Sequence, residues 1–158
     1  VLVNWIKDFY PDFEPKDAPS LHFYAALGGS EEVVFMLVDK FGYDINDSGG
    51  KRGWRGANPV TILHGALWGK HTALMKRLIE AKVDLHKTHP VEDGLSISAA
   101  EMGLWDWYEK FLAEETKDER AAFNDNRYCL MEAAVCSNRK DKLLELNTKR
   151  IGNASGMG

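Results

Sequence analysis

The segment that decides the fold runs from Thr61 to His86 and reads TILHGALWGKHTALMKRLIEAKVDLH. It opens with a short apolar run, breaks at Gly69-Lys70, and continues with a second apolar run. Apolar residues at intervals of three and four on both sides of a glycine-containing break are typical of two short amphipathic helices joined by a tight turn. This segment therefore predicts one helix-turn-helix repeat.

Comparison of the chain with itself extends this prediction. A small or apolar pair recurs at intervals of 41, 33 and 34 residues, and each pair is followed by a glycine or polar break and a second apolar stretch. Stacked repeats have such a period, because one repeat alone cannot bury its own apolar face. We predict four helix-turn-helix repeats, whose first helices carry Ala25-Ala26, Ala66-Leu67, Ala99-Ala100 and Ala133-Ala134.

Residues 61–71 and 78–86 resemble the ankyrin repeat consensus without a gap. The first repeat is similar, since Gly42-Tyr43-Asp44-Ile45-Asn46 mirrors the Gly-Ala-Asp-Val-Asn ending of that family. The third and fourth repeats keep mainly the small pair and the second apolar stretch. The resemblance covers residues 18–146 and implies an all-α, ankyrin-type solenoid with finger loops, divided into repeats at about 18–58, 59–91, 92–124 and 125–146.

The two ends of the chain differ from these repeats. Residues 1–10 have the pattern of an amphipathic helix that would cap the stack, and Pro11, Pro15 and Pro19 favour an extended connector, so residues 1–17 are assigned to a capping helix and connector. The degenerate fourth repeat is expected to form the other cap. Residues 147–158 are rich in small and polar residues and are expected to form a flexible tail. This tail is compatible with the chain being the recognition part of a larger protein.

Composition narrows the function classes. The chain has 158 residues, which favours one structural unit, and its formal charge of −4 gives no field that would attract nucleic acid or anionic lipid. No apolar stretch approaches the length of a membrane span. Two cysteines are too few for a disulfide framework, so we expect a reducing, intracellular compartment, either cytoplasmic or nuclear.

The resemblance implies that finger loops and the exposed positions of the first helices form a concave, partner-binding surface. Between Asn46 and Ala66 the chain is seven residues longer than the consensus, and the insertion is glycine-rich, basic and aromatic. Tryptophan and arginine are enriched at interface hot spots. Expected contacts are Arg52, Trp54 and Arg55 in the first finger, Trp68 on the second repeat, His89, Glu92 and Asp93 in the second finger, Glu101 and Met102 on the third repeat, and Arg127 and Tyr128 on the fourth. Gly65 and Gly69 are placed with Trp68 at positions that face the concave side.

Each of these contacts has an alternative interpretation. The first finger is also compatible with a flexible loop that folds Trp54 onto the adjacent repeat, and Trp68 either stacks on a partner or packs beneath the finger. The residues of the second finger and of the fourth repeat also suit solvated turns. The first finger is basic and the second acidic, which favours a partner of mixed polarity.

The histidines, cysteines and tryptophans favour structural roles. His64 and His71 could be drawn as a catalytic pair, and His86, His89 and Asp84 as metal ligands, but the first two lie at repeat-consensus positions and the others lack further ligands. An isolated helical thiol such as Cys129 is more often a small buried hydrophobe than a nucleophile. A stripe of aromatic and aliphatic residues suits a repeat core, with Trp105 as its candidate exposed member: Trp105, Trp107, Tyr108, Phe111 and Leu112.

The sequence therefore predicts a protein-protein interaction module that binds a protein or peptide partner through its concave face and its extended first finger. It predicts no enzyme activity, cofactor, metal, nucleic-acid partner or membrane insertion, and a chain that is monomeric or part of a longer one. The alternative is a pocket between the long finger and the concave face, lined by tryptophan, that binds a small molecule or catalyses a reaction on one.

Overall fold

The computed structural model of the protein describes residues 12, 14, 20–47, 61–86, 94–117 and 127–154, and within the last range the side chains of 128–148. These ranges contain eight helices in four consecutive pairs, which confirms the predicted all-α class. The helices are α1 (Leu21–Leu27), α2 (Glu31–Phe41), α3 (Ile62–Trp68), α4 (Thr72–Glu80), α5 (Leu95–Glu101), α6 (Trp105–Glu114), α7 (Arg127–Cys136) and α8 (Lys140–Ala154).

The same tight turn joins the two helices of every pair. One residue in each turn has a positive φ, and we call it the turn residue: Gly29 (77°), Lys70 (59°), Gly103 (75°) and Asn138 (55°). The amide N–H of the residue that follows it donates to a carbonyl five residues earlier, from Ser30 to Ala25, His71 to Ala66, Leu104 to Ala99 and Arg139 to Ala134, over 2.8–3.1 Å. This bond satisfies a carbonyl that the end of the first helix would otherwise leave unpaired.

The turn fixes the register of the four repeats and corrects one prediction. The carbonyls that accept this bond belong to Ala25, Ala66, Ala99 and Ala134. In the fourth repeat the equivalent of the small pair is therefore Ala134-Val135, and the predicted Ala133-Ala134 was one residue too early. The error arose because alanine occupies two successive positions there, while the turn residue is an asparagine instead of a glycine.

The residue contacts divide the chain into two compact units, Val1–Thr88 and His89–Gly158, whereas the sequence analysis expected one. In the first unit, α1 packs against α2 and α3, and α3 packs against α4. Large aliphatic side chains that are fully buried form its core: Leu37, Ile62, Leu63, Leu67, Met75 and Leu78. Both helix pairs of this unit therefore contribute to one apolar interior.

Gly65 marks the closest approach inside the first unit. A Cβ atom at this position would lie 2.7 Å from the carbonyl oxygen of Phe23 and 3.2 Å from the amide nitrogen of Leu27. Gly65 is buried against α1, so its prediction as part of the exposed concave face was wrong. Absence of a side chain allows the backbones of α1 and α3 to approach closely.

In the second unit, α5 packs against α6 and α7, and α7 packs against α8. Ala100, Trp105, Ala133 and Ala134 form a buried cluster. The expected exposure of Trp105 was wrong, because the residue is only 2 % exposed. Its indole Nε1 donates to the Ser137 hydroxyl over 2.9 Å, so the one polar atom of the side chain has a hydrogen-bond partner although it is buried. Trp107 and Phe111 are also buried, as the predicted stripe required.

The last helix is longer than the sequence analysis expected. α8 continues to Ala154, so residues 147–154 belong to a helix, whereas a flexible tail was predicted from 147 onwards. No proline interrupts this stretch, and the Thr148 hydroxyl donates to the carbonyl of Leu144 over 2.8 Å within the helix. The predicted capping helix over residues 1–10 and the first finger, from residue 48, lie outside the described residues.

Candidate partner-binding surface

Each first helix ends in two residues that precede the turn residue and remain at least partly exposed. We call these pairs the helix-end surface of their compact unit: Leu27-Gly28 and Trp68-Gly69 in the first, and Glu101-Met102 and Cys136-Ser137 in the second. Their equivalence follows from the four turns. Two predicted contact positions, Trp68 and Glu101, are thus equivalent positions of successive repeats.

Trp68 is the largest side chain of the helix-end surface in the first unit. Its ring meets that of Phe23 edge to face at 5.8 Å between centroids, and that of His64 at 5.9 Å. The indole is half-buried. It is therefore held in place from below by two rings, while part of its surface remains in contact with solvent.

Two of the four positions of this surface are glycines, Gly28 and Gly69. A Cβ at Gly69 would lie 2.4 Å from the carbonyl oxygen of Leu27, so the ends of α1 and α3 touch there through backbone. At Gly28 a Cβ would meet only carbonyl oxygens of its own helix, the closer at 3.4 Å. Gly28 and Gly69 therefore add no side chain to this surface, and Trp68 and Leu27 are its only side chains.

His64 and His71 fasten the helices that carry this surface. The Nδ1 atom of His64 accepts the backbone N–H of Thr61 at 3.3 Å and lies 3.0 Å from the Thr61 hydroxyl, which completes a capping box at the start of α3. The Nε2 atom of His71 donates to the carbonyl of Leu27 at 3.0 Å. Both imidazoles thus satisfy backbone groups at helix ends, as the interpretation of their consensus positions expected.

The remaining polar loop residues near α1 and α4 form a similar backbone network. The Nε2 atom of His22 donates to the carbonyl of Asp47 at 3.3 Å. The Asn46 side chain accepts the N–H of Asp84 at 2.7 Å, and the Asp84 carboxylate accepts the N–H of His86 at 2.9 Å. Among the described residues, no group of three or more His, Cys, Asp or Glu side chains is arranged to hold a metal ion.

The second unit presents a more polar helix-end surface. Glu101 and Met102 are both half-buried at the end of α5, and Ser137 at the end of α7 donates to the carbonyl of Ala133 over 2.6 Å. Cys136 is exposed and Cys129 half-buried, and neither is in a disulfide. The prediction of a buried Cys129 therefore holds only in part.

The predicted contacts of the fourth repeat lie at the start of α7. Tyr128 is 76 % exposed. It is seven residues before Val135, so these two side chains share one face of α7. Arg127 lies in the helix, but its side chain is outside the part of the chain that the structure describes. The contacts predicted in the finger loops are also outside that part, and they stay predictions: Arg52, Trp54, Arg55, His89, Glu92 and Asp93.

Ion pairs connect the second helices of successive repeats. Arg77 on α4 pairs with Glu31 on α2 at 2.7 Å and lies over the ring of Phe35. In the second unit, Lys142 on α8 pairs with Glu109 on α6. Exposed pairs of this kind add little stability, but they report which positions of adjacent repeats face one another.

Tyr108 on α6 is affected by charged side chains of α8. Burial raises the pKa of the Tyr108 hydroxyl, and the negative charge of Glu145 on α8 raises it further. The ring also meets that of Trp105 edge to face at 5.4 Å. Tyr108 is therefore neutral at physiological pH and serves as part of the core of the second unit.

Three exposed apolar residues were missed by the sequence analysis: Tyr24, Val135 and Leu144. Tyr24 and Val135 occupy positions at which other repeats carry buried residues. For Tyr24 the signal was present in the sequence, because alignment on the turn residue places its large ring where the other repeats have small residues. For Val135 the position could be compared only once the register of the fourth repeat was known.

None of the helices in the described ranges has the length and apolar composition needed to cross a membrane. Comparison of the chain with protein-family models, with curated proteins and with solved structures finds no match. The ankyrin resemblance therefore depends on the residues and spacings of this chain alone.

Proposed function

We propose that this chain is a protein-protein interaction module of the ankyrin type, which binds a protein or peptide partner through its helix-end surfaces and its extended first finger. The observation that carries the proposal is the half-buried indole of Trp68, which meets the rings of Phe23 and His64 edge to face. A large aromatic side chain that is already fixed loses little conformational entropy when it contacts a partner.

Three features of the chain support an ankyrin-type arrangement. The four turns share one hydrogen-bond pattern and one position of positive φ. Thr61 and His64 form the capping box at the repeat opening. Within each compact unit, the first helices of successive repeats pack together, α1 with α3 and α5 with α7. Stacking of short first helices leaves their ends on one side, where a partner would bind.

The chemistry of the surface favours a partner of mixed polarity. Trp68 and Leu27 supply apolar area in the first unit, while Glu101 supplies an acidic group in the second. The first finger adds the basic residues Arg52 and Arg55. A protein or peptide partner that offers apolar groups and charges of both signs would complement these residues. Two thiols outside any disulfide accord with an intracellular location.

The test is affinity capture from extract of the source cells on the immobilised chain, with mass spectrometry of retained proteins and metabolites. We expect a protein that binds the wild type and is lost with Trp68→Phe combined with the finger variant R52A/W54A/R55A. Lys76→Ala, an exposed change on α4, is the control and should retain it.

Titration of the retained protein against purified variants then locates the contact. Trp68→Ala should raise Kd about thirtyfold, which corresponds to about 2 kcal/mol for a hot-spot residue. Circular dichroism of every variant separates loss of binding from loss of folding. A partner that binds Trp68→Ala and wild type equally would contradict the proposed surface. A metabolite retained without any protein would support the alternative pocket instead.

A further inference from the structure

The contacts inside each compact unit define which positions of a repeat face its neighbours. On the first helices, the residue five before the turn residue faces the preceding repeat: Gly65 lies against α1, and Ala133 lies in the cluster with Ala100. The residue three before the turn residue faces the following repeat, as Ala100 does. We call these the preceding-face and following-face positions.

Burial at these positions is complete where a repeat meets a neighbour inside its own compact unit. The following-face residues Ala26 and Ala100 are fully buried, whereas Val135 of the fourth repeat is 63 % exposed. The preceding-face residues Gly65 and Ala133 are buried as well, whereas Tyr24 of the first repeat is 61 % exposed. The first repeat therefore exposes Tyr24 at its preceding-face position, and the fourth repeat exposes Val135 at its following-face position. Inside each compact unit, these two kinds of position face each other.

The second helices show the same complementarity. In the first unit, Phe35 is the sixth residue after the turn residue Gly29. It lies under the guanidinium of Arg77, the seventh residue after the turn residue Lys70. In the second unit, Glu109 is the sixth residue after Gly103 and pairs with Lys142, the fourth residue after Asn138. The residue six after a turn residue therefore faces the residues four and seven after the following one.

Applied to the outer repeats, this rule brings apolar residues together. Leu144 is six residues after Asn138 and is 66 % exposed. Val33 and Met36 are four and seven residues after Gly29, and both are half-buried. A first repeat placed after the fourth in the observed register would set Val33 and Met36 beside Leu144, and Tyr24 beside Val135, and none of these residues is charged.

We propose that a second copy of this chain associates head to tail, with α1 and α2 of one copy stacked on α7 and α8 of the other. The contact uses the same helix faces as the repeat packing inside each compact unit, but at a wider spacing, because Tyr24 stands where Gly65 and Ala133 are small. The two faces differ, so the association is heterologous, and a bound pair still has one of each face exposed. Larger assemblies therefore form with rising concentration unless a ring closes.

Sedimentation equilibrium of the full chain over a range of concentrations tests the association. We expect the wild-type mass to rise above 17.8 kDa as the concentration approaches about 100 µM. Tyr24→Glu and Val135→Glu each place a carboxylate in an apolar contact and should each reduce association at least about tenfold. Ala73→Glu, an exposed change on α4 with the same added charge, should associate as the wild type does.

Mixing the two variants tests the head-to-tail geometry. Tyr24→Glu keeps an intact following face and Val135→Glu keeps an intact preceding face, so an equimolar mixture should form a dimer that does not grow further. Circular dichroism confirms that each variant is folded. A wild type that stays monomeric, as it would if residues 1–17 cap α1, would overturn the proposal. So would a variant that dimerises with itself, because that outcome requires two identical faces.

Discussion

Replacement of Gly65 by alanine tests how closely α1 and α3 pack. The new Cβ would lie 2.7 Å from the carbonyl oxygen of Phe23 and 3.2 Å from the amide nitrogen of Leu27. Both are backbone atoms of α1, which cannot rotate away as a side chain can. The helices would have to separate, and the apolar contacts between them would weaken.

Two opposing effects determine how much Gly65→Ala changes the free energy of unfolding. Alanine in place of glycine inside a helix normally stabilises a protein by about 1 kcal/mol. Overpacking of a close contact costs about 1–3 kcal/mol, and a clash with backbone belongs at the upper end of that range. We therefore expect Gly65→Ala to lower the free energy of unfolding by about 2 kcal/mol.

Gly28→Ala is the matched control. Gly28 has helical φ and ψ of −78° and −7°, and its closest contact to a new Cβ is 3.4 Å. Here only the backbone entropy effect operates, so we expect stabilisation of about 0.5 kcal/mol. The two substitutions are chemically identical but should change stability in opposite directions.

Urea unfolding followed by circular dichroism measures both variants. The midpoint should fall by about 1 M or more for Gly65→Ala and rise slightly for Gly28→Ala. Hydrogen exchange at the amides of Gly69 and Lys70, which bond to α3 carbonyls, places any loss in the first unit. A Gly65→Ala chain as stable as Gly28→Ala would refute the close approach of α1 and α3.

Three further changes test the repeat ends. Thr61→Ala removes the capping box of α3 and should cost about 1 kcal/mol in thermal unfolding, while Thr61→Ser, which keeps the hydroxyl, should cost little. Ser137→Ala leaves the buried Trp105 indole N–H without its acceptor and should cost about 1–3 kcal/mol, so an unchanged melting temperature would contradict the bond. The Arg139 guanidinium donates two hydrogen bonds to Asp141 and holds the pKa of that carboxyl below its usual range. The pKa of Asp141 is lower in the folded chain than in the unfolded chain, so the pair stabilises the fold above the usual carboxyl pKa, and this contribution is lost as pH falls. NMR titration should show that the Asp141 pKa rises in Arg139→Ala.

The four helix pairs could be predicted because their signals are local. Apolar periodicity and a break at the turn lie within some twenty residues of each other in every repeat. The turn residue of each repeat was harder to identify, because it is not always the same amino acid. Gly29 and Gly103 are the expected residues for positive φ, whereas Lys70 and Asn138 adopt the same conformation without being glycine. Asparagine tolerates it well, and this is why the fourth register could be missed by one residue.

Burial at the candidate surface could not be predicted from local pattern. Trp105 is buried because it packs against Ala133 and Ala134 of α7, and Ser137, just after that helix and 32 residues away in sequence, accepts its N–H. Gly65 is buried because α1 approaches it, although the spacing that identified Trp68 had placed both on the exposed side. Side-chain orientation at the end of a seven-residue helix depends on what packs against it from the neighbouring repeat, and periodicity within one repeat contains no information about that neighbour.

The preceding-face position shows how residue size reports on the neighbouring repeat. Gly65, Ser98 and Ala133 are small there, and Tyr24 is large. A repeat stacked as closely as α3 on α1 leaves no room for a side chain, so a tyrosine at this position means that the surface it meets must have a different shape. Val135 offers a branched chain on the complementary face, with Tyr128 and Glu132 on the same side of α7. A terminal cap requires a polar outer face. The fourth repeat instead presents apolar groups there, and this is why its outer face is better explained as a contact surface than as a cap.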